Sequence, residues 1–230
     1  MSRTRQARLR PLCDLPPDTL LVSEIFASIQ GESTYAGRPC GFVRVTGCNL
    51  RCTYCDTTYA YEGGARLSVD AVMSRLSALG LPLIEVTGGE PLLQPAVPVL
   101  LSRLCDAGLT VLLETNGSLE LAAVDPRVVK IVDLKAPSSG EARRNRMQNL
   151  ERLAKTDELK LVLAGRGDYE WARRLVREHR LDERCTVLFG AVHGALAPEL
   201  LAAWILEDRL PVRLQLQLHK ILYGARQRGV

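Results

Sequence analysis

Cys48-Asn49-Leu50-Arg51-Cys52-Thr53-Tyr54-Cys55 is the stretch that decides how this chain is interpreted. Three residues separate its first two thiols and two residues separate the last two, so one loop can bring all three to a single metal centre. A structural zinc site or a fully ligated iron–sulfur cluster takes four protein ligands. Three thiols therefore leave one metal position open. We expect a [4Fe–4S] cluster with one open iron.

A zinc site is the alternative for this loop. The histidine nearest in sequence is His179, and His193 or His219 would serve as a fourth ligand only by folding back. Zinc sites of the finger type place all their ligands at short spacings. The cysteine spacing therefore favours the iron–sulfur cluster over zinc.

The composition is that of an ordinary globular protein. Its 230 residues are 47% hydrophobic and 24% charged, with a net charge of +4, which is enough apolar material for one sizeable domain. Aromatic residues make up only 5%, which argues against a nucleic-acid-binding surface. The sequence contains no apolar run long enough for a transmembrane helix and no signal peptide, so we expect a cytoplasmic protein without membrane contact.

Seven cysteines in a reducing compartment indicate metal or redox chemistry rather than a disulfide framework. The other four lie among apolar neighbours, where cysteine usually serves as a small buried hydrophobic residue. These four are Cys13, Cys40, Cys105 and Cys185.

Strand and helix patterns alternate along the chain after a flexible leader, residues 1–18, and we predict one domain over residues 19–230. Predicted strands are Leu20–Ile29, Cys40–Thr46, Leu83–Thr87, Leu109–Glu114, Val128–Leu134, Glu158–Leu163, Thr186–Phe189 and Val212–Leu218. Predicted helices are Leu67–Leu79, with Ser68 as its N-cap, then Ala96–Asp106, Arg144–Ala154, Tyr169–His179 and Glu199–Asp208.

Such alternation predicts parallel strands joined by helical crossovers. The strands are too few for a closed eight-stranded barrel, so we predict an α/β fold, a partial, open (βα) barrel with an N-terminal β extension. Polar loops follow the strands, and the cysteine loop follows the second one. All of them should gather at the C-terminal edge of the sheet, where ligands bind in this fold class.

The cysteine spacing, with Tyr54 before the last thiol, resembles the radical S-adenosylmethionine (SAM) superfamily. Thr87-Gly88-Gly89-Glu90-Pro91 resembles the Gly-Gly-Glu-Pro motif of that superfamily. The resemblance implies a cluster whose open iron is chelated by SAM. It implies reductive cleavage of SAM to a 5′-deoxyadenosyl radical that abstracts a substrate hydrogen, with electrons from a donor such as flavodoxin or ferredoxin.

Four further stretches resemble the 7-carboxy-7-deazaguanine synthases within that superfamily, and the likeness runs from about residue 22 to the C-terminus. They are Ser28-Ile29-Gln30-Gly31-Glu32, Gly41-Phe42-Val43-Arg44, Gly47-Cys48-Asn49-Leu50-Arg51-Cys52 and Cys55-Asp56-Thr57. The resemblance implies a lyase acting on 6-carboxy-5,6,7,8-tetrahydropterin, with loss of ammonia, in the pathway to queuosine and other deazapurines. It also implies Mg²⁺ as a further cofactor and a homodimer.

Site residues follow from this resemblance, position by position. Cluster ligands are Cys48, Cys52 and Cys55, and the Mg²⁺ ligand is Thr57. Implied substrate contacts are Ile29, Gln30, Gly31, Glu32, Arg44, Thr87, His219 and Val230. Implied SAM contacts are Tyr54, Cys55, Asp56, Gly89, Glu90, Ser118, Asp133, Leu134 and Lys135. The stretch Phe189–His193 should reach the adenosine side.

Three of these assignments have a physical rationale. A carboxylate such as Glu32 can accept two parallel N–H bonds from a guanidine-like ring edge. The Arg44 guanidinium suits a substrate carboxylate, although pairing with a surface acid would also explain it. A threonine hydroxyl is plausible for Mg²⁺, which keeps most of its waters.

Two other functions stay open at this point. One is a radical SAM activase that acts on a protein partner, for which Gln30-Gly31-Glu32 and Thr57 would have no purpose. The other is a non-enzymatic module in which the cysteines hold a metal for interaction with a partner.

Overall fold

The computed structural model describes residue 12, residues 14–224 and residues 228–229. The strands are β1 (Thr19–Ile29), β2 (Pro39–Val45), β3 (Ala65–Ser68), β4 (Leu83–Gly88), β5 (Thr110–Thr115), β6 (Val129–Asp133), β7 (Glu158–Leu163), β8 (Thr186–Ala191) and β9 (Arg213–Gln215). The α-helices are α1 (Val69–Ser77), α2 (Val97–Asp106), α3 (Arg166–His179), α4 (Pro198–Glu207) and α5 (Leu218–Tyr223).

The described strands form one nine-stranded sheet in the order β3-β1-β2-β4-β5-β6-β7-β8-β9. Strand β1 pairs antiparallel with both β2 and β3, whereas every pairing from β2 and β4 through β9 is parallel. The sheet order runs from β3 at one end to β9 at the other, so the barrel is open. This confirms the predicted partial barrel with an N-terminal β extension.

The two faces of each parallel strand have different environments, because successive side chains point to opposite sides. In β4, Ile84 and Val86 pack outward against α1 and α2. Leu83 points inward and joins a small apolar floor with Phe42 and Ile131. Glu85 and Thr87, on the same inner face as Leu83, line a cavity above that floor. The barrel interior is therefore apolar at its base and polar toward the C-terminal ends of the strands.

Helix α1 begins as its sequence indicates. The Ala71 N–H donates to the Ser68 hydroxyl at 3.1 Å, which confirms Ser68 as the N-cap. Gly80 follows the helix with φ of +66°, a conformation that favours glycine. The predicted start at Leu67 was two residues early, because Leu67 and Ser68 pair with β1 as the end of β3. The short strand β3 was not predicted.

The predicted helix Arg144–Ala154 was wrong. The chain instead forms two 3₁₀ segments, Ala142–Arg144 and Met147–Arg152. The buried Asn149 amide donates to the carbonyl oxygens of Gly117, at 3.0 Å, and Leu119, at 2.7 Å. These bonds to the loop after β5 hold the backbone in a path that a continuous α-helix does not follow.

The predicted final strand Val212–Leu218 was also too long. Strand β9 ends at Gln215, and Leu218 begins helix α5. The Leu218 N–H donates to the Gly31 carbonyl oxygen at 2.9 Å, which turns the chain toward the loop after β1. His219 and Lys220 therefore lie on a helix rather than at a strand end.

Several other predictions concern the ends of the chain or buried cysteines. Cys40 and Cys185 are buried as predicted, and Cys105 is partly buried. The first eleven residues of the predicted leader, together with Cys13 and Val230, lie outside the described residues. None of the helices that the structure describes is long and apolar enough to cross a membrane.

Candidate active site

A cavity of about 500 Å³ opens at the C-terminal ends of the parallel strands. The cysteine loop after β2 forms one wall. The loop after β1, residues 30–32, and helix α5 form another. The polar inner residues of β4, β5, β6 and β7 lie between them. The edge predicted from the sequence is therefore the edge at which this cavity lies.

The three thiols of the cysteine loop, Cys48, Cys52 and Cys55, all line the cavity. Burial raises the pKa of Cys52 to about 11, although the nearby Lys135 ammonium lowers it. Burial likewise raises the pKa of Cys48, whose sulfur accepts from the Leu50 N–H at 3.4 Å. A bound metal would be needed to hold such sulfurs as thiolates.

The thiols share a wall without forming a site for a single ion. Within the described ranges, no group of three or more His, Cys, Asp or Glu side chains is placed to hold one metal ion. The thiolate ligands of a cubane cluster bind separate irons, so they lie farther apart than the ligands of one zinc ion.

Contacts to the loop after β6 and to strand β7 fix the cysteine loop. The Thr53 N–H donates to the Ser139 carbonyl oxygen at 3.1 Å, and the Thr53 hydroxyl donates to the Ser138 carbonyl oxygen at 2.8 Å. The Tyr54 hydroxyl donates to the Val162 carbonyl oxygen at 3.1 Å, which ties the loop to β7. Tyr54 also lines the cavity, as a SAM contact should.

The Gly88-Gly89 turn packs directly beneath the first cysteine. A Cβ at position 89 would lie 2.2 Å from the Gly47 carbonyl oxygen and 2.9 Å from the Cys48 Cβ. The Glu90 N–H donates to that same Gly47 oxygen at 2.7 Å. Glycine is therefore required here for close approach of two backbone segments, in addition to its predicted contact with SAM.

Glu90, a predicted SAM contact, has a fully buried side chain and is not among the residues that line the cavity. Its carboxylate accepts from the Thr115 hydroxyl at 2.8 Å and from the N–H groups of Asn116, at 2.7 Å, and Leu92, at 3.0 Å. In this structure Glu90 joins the ends of β4 and β5.

Of the remaining predicted SAM contacts in the later loops, two line the cavity, whereas Leu134 and Ser118 are not among its lining residues. Asp133 and Lys135 line the cavity, and the Lys135 ammonium lies 2.9 Å from Asp133 Oδ2. Asp133 Oδ1 is a buried oxygen without a hydrogen-bond partner among the described atoms. Leu134 is buried, and the Ser118 hydroxyl accepts from the Asn49 amide at 2.8 Å.

The predicted substrate contacts Ile29, Gln30, Gly31, Glu32, Thr87 and His219 all line the cavity. The Glu32 carboxylate accepts from the Lys160 ammonium at 2.9 Å and from the Gln215 and Gln217 amides at 2.9 and 2.8 Å. A Cβ at Gly31 would lie 2.2 Å from the His219 ring, so helix α5 packs tightly onto this loop.

Arg44 pairs with an acid and also lines the cavity. Its Nε donates to Glu24 at 2.7 Å. The Arg44 side chain is only 18% exposed, and Arg44 itself belongs to the cavity wall. The Tyr59 hydroxyl also donates to Glu24, at 2.8 Å.

Thr57 and Asp56 line the cavity beside helix α5. The Thr57 hydroxyl donates to Asp56 Oδ1 at 3.0 Å, and the Lys220 ammonium lies 2.6 Å from Asp56 Oδ2. Burial alone would raise the pKa of Asp56, but Lys220 outweighs it and lowers that pKa to about 2. Asp56 is therefore an anion at neutral pH.

Comparison with known proteins places the chain in a family. The model of the radical SAM superfamily matches residues 42–156. The 7-carboxy-7-deazaguanine synthase of Chlorobaculum tepidum is 52% identical over 215 residues, which cover 92% of this chain and 97% of that protein. The synthase of Koribacter versatilis is 44% identical over 224 residues, covering 91% of this chain and 99% of that protein.

The chain belongs to the 7-carboxy-7-deazaguanine synthase family. It is therefore a radical SAM enzyme and a lyase, and membership implies a [4Fe–4S] cluster and SAM as its cofactors. The fold is similar to that in the crystal structure of QueE from Escherichia coli, with a TM-score of 0.71 at 21% identity, over 87% of this chain and 95% of that one. At this identity the likeness concerns the fold alone.

Sequence reasoning missed several charged residues of this synthase-family cavity. Lys160, Glu114 and Glu85 line it from the inner faces of β7, β5 and β4. Each directly follows an apolar residue of its strand, a setting in which a charge is rarely buried unless it is paired. That pattern was the available indication that these side chains face a polar cavity.

Proposed function

We propose that this protein converts 6-carboxy-5,6,7,8-tetrahydropterin to 7-carboxy-7-deazaguanine and ammonia. The observation that carries the proposal is the arrangement of the cavity, where three thiols face a wall of carboxylate, amide and guanidinium groups. The reaction contracts the pyrazine ring and releases one nitrogen, without net oxidation or reduction of the substrate.

The family's cluster and SAM fit the residues present. Cys48, Cys52 and Cys55 would hold the cluster, and Asp133 Oδ1, which lacks a partner, suits a donor group of bound SAM. When bound, the cluster and SAM supply the radical chemistry that removes a hydrogen atom from the substrate. The number of protein ligands and the SAM contacts stay predictions.

Binding of the pterin would use two kinds of contact. The Glu32 carboxylate can accept N–H bonds from the amino-pyrimidine edge, while the Arg44 guanidinium can hold the 6-carboxylate. Phe26 and Phe42 stack with ring centroids 5.0 Å apart and line the same cavity, so they offer an apolar surface to the ring system. Gln30 and Thr87 would add hydrogen bonds.

Magnesium is a further proposal. The Thr57 hydroxyl and the Asp56 carboxylate offer hard oxygen ligands beside the expected position of the substrate carboxylate, and Mg²⁺ keeps several waters at such sites. Replacing Thr57 by Ala should spare the cluster and lower turnover, with loss of magnesium dependence as the distinguishing measurement. Unchanged activity and unchanged magnesium dependence would remove the metal from the proposal.

Other expectations remain predictions. They are the single domain over residues 19–230, a contact between Val230 and the substrate, a cytoplasmic location, a flavodoxin or ferredoxin donor, and a homodimer.

The decisive experiment is anaerobic reconstitution with iron and sulfide, followed by incubation with SAM, a reductant and the pterin. We expect 7-carboxy-7-deazaguanine in the presence of the pterin. Formation of 5′-deoxyadenosine without a deazapurine product would contradict the substrate assignment but keep the superfamily. A protein that forms no cluster and cleaves no SAM would favour the non-enzymatic metal module.

A further inference from the structure

Lys160 lies at the centre of the cavity's charged residues. It is on the inner face of β7, and its side chain is only 5% exposed. Its ammonium is 2.9 Å from Glu32 Oε2 and 3.7 Å from Asp133 Oδ2, and it contacts the Glu114 carboxylate more closely than either. One buried cation thus meets carboxylates from the loop after β1, from β5 and from β6.

This placement calls for an explanation because a buried ammonium loses its hydration, and close anionic partners compensate for that loss. Conversely, neighbouring carboxylates raise one another's pKa values, and a cation between them favours their ionised forms. Glu114 also accepts from the Thr87 hydroxyl at 3.0 Å, so the network extends to a predicted substrate contact.

The protonation states of this cluster follow from its geometry. Burial alone would raise the pKa of Glu114, but the Lys160 charge outweighs it and lowers that pKa to about 2. Lys160 itself has its pKa raised well above the ordinary value, since its carboxylate partners outweigh burial. Ionisable groups on the surrounding elements that also act on this cluster are Arg44, Asp56, Glu85, Lys135, Glu158 and His219.

We propose that Lys160 is a positioning residue of this enzyme, whose ammonium holds the Glu32 and Glu114 carboxylates in place as acceptors on the substrate side of the cavity. The inference rests on the proposed function, because Glu32 is assigned to the pterin there and Glu114 accepts from Thr87, which is also assigned to it. Glu32 reaches Lys160 from an extension of the barrel, whereas Glu114 belongs to the barrel itself. Lys160 therefore sets the distance between the two acceptors and keeps Glu114 ionised.

The chain supplies a matched control for removing a buried lysine. Lys130, on the neighbouring β6, has a side chain 8% exposed, and its ammonium lies 3.0 Å from Asp157 Oδ2. Lys130 does not belong to the cavity lining. Lys160→Met and Lys130→Met therefore remove the same group from similar burial, with and without contact to the proposed acceptors.

Three measurements on the reconstituted proteins test the proposal. The first is the equilibrium affinity for the pterin across pH, where Lys160→Met should bind at least about 30-fold more weakly than Lys130→Met and should improve as pH rises. The second is the infrared carbonyl band of a protonated carboxylic acid, which Lys160→Met should gain at neutral pH. The third is rescue of Lys160→Ala by propylamine, which replaces the atoms removed.

The outcomes separate the two proposals. Equal pterin affinity in the two Met variants, or no new acid band in Lys160→Met, would overturn the role of Lys160. Wild-type protein that cleaves SAM but forms no deazapurine would overturn the proposed function, while the infrared band would still decide the state of the carboxylates. If Lys160→Met does not fold, Lys160→Ala prepared in propylamine replaces it, and failure of amine removal to weaken binding would refute the proposal.

Discussion

Gly89→Ala tests whether the Gly88-Gly89 turn is what positions the first cluster cysteine. The added Cβ would lie 2.2 Å from the Gly47 carbonyl oxygen, 2.6 Å from its carbonyl carbon and 2.9 Å from the Cys48 Cβ. Unbonded carbon atoms prefer separations of about 3.5–4.0 Å, so the two segments must move apart by roughly 1 Å. Two of the three obstructing atoms are backbone atoms, which cannot rotate away.

Two hydrogen bonds oppose that movement. The Gly89 N–H donates to the Val45 carbonyl oxygen at 3.1 Å, and the Glu90 N–H donates to the Gly47 carbonyl oxygen at 2.7 Å. Weakening both costs about 1 kcal/mol each, and overpacking adds about 1–3 kcal/mol. We expect Gly89→Ala to lower the free energy of unfolding by roughly 3–5 kcal/mol. Total stabilities of domains are about 5–15 kcal/mol, so much of the protein should still fold.

The assay combines denaturant unfolding with iron and sulfide content after anaerobic reconstitution. Gly167→Ala is the control, because its Cβ would meet nothing within 4 Å and its position in α3 favours alanine. We expect that control to load a full cluster and to be as stable as wild type or slightly more so. A Gly89→Ala protein with full cluster content and wild-type stability would refute the reasoning.

Three further predictions concern other parts of the molecule. Cys52→Ala should lose the cluster iron, whereas Cys105→Ala should retain it, as measured by iron content; iron retained in the first would remove that thiol from the ligand set. Burial, followed by the charge of Glu114, raises the pKa of Glu85 to about 8 from its ordinary 4.5, so the folded protein holds a proton that the unfolded chain releases. The free energy of unfolding of the wild type should therefore fall as pH rises from about 5 to about 8. Glu85→Gln lacks this proton, so its free energy of unfolding should rise relative to that of the wild type over the same range. A difference between the two proteins that stays constant with pH would contradict this. Ser68→Ala removes the N-cap of α1 and should cost about 1 kcal/mol, seen as a melting temperature lower by about 2–4 °C, and an unchanged melting temperature would exclude the cap's contribution.

Parts of the fold were predictable because local sequence and tertiary environment agree there. Strands β4 to β8 are short apolar runs, and helices α1 and α2 each end close to a glycine. The bounds of Glu158–Leu163 were predicted without error. The C-terminal edge of the sheet then follows from parallel topology, which is why the cavity was located correctly.

The errors occur where distant contacts override local preference. The sequence pattern predicts a helix over residues 144–154, but the Asn149 side-chain amide donates to carbonyl oxygens of the loop after β5. The strand predicted to reach Leu218 ends early, because the Leu218 N–H donates to the Gly31 carbonyl oxygen instead of to a neighbouring strand. In both segments the decisive hydrogen-bond partner lies far away in sequence, where no local pattern can indicate it.

The same distinction divides the active site itself. On the cluster side the three thiols lie close in sequence, within residues 48–55, although Ser138, Ser139 and Val162 fix their loop from a distance. The substrate side depends on Glu32, which bonds to residues 128, 183 and 185 positions away: Lys160, Gln215 and Gln217. Substitutions of Gln215 or Gln217 should therefore alter what binds near Glu32. Helix α5 joins the two sides, because the Lys220 ammonium lies 2.6 Å from Asp56, directly after the last cysteine. A change at Lys220 should therefore affect the cysteine side of the cavity as well as the substrate side.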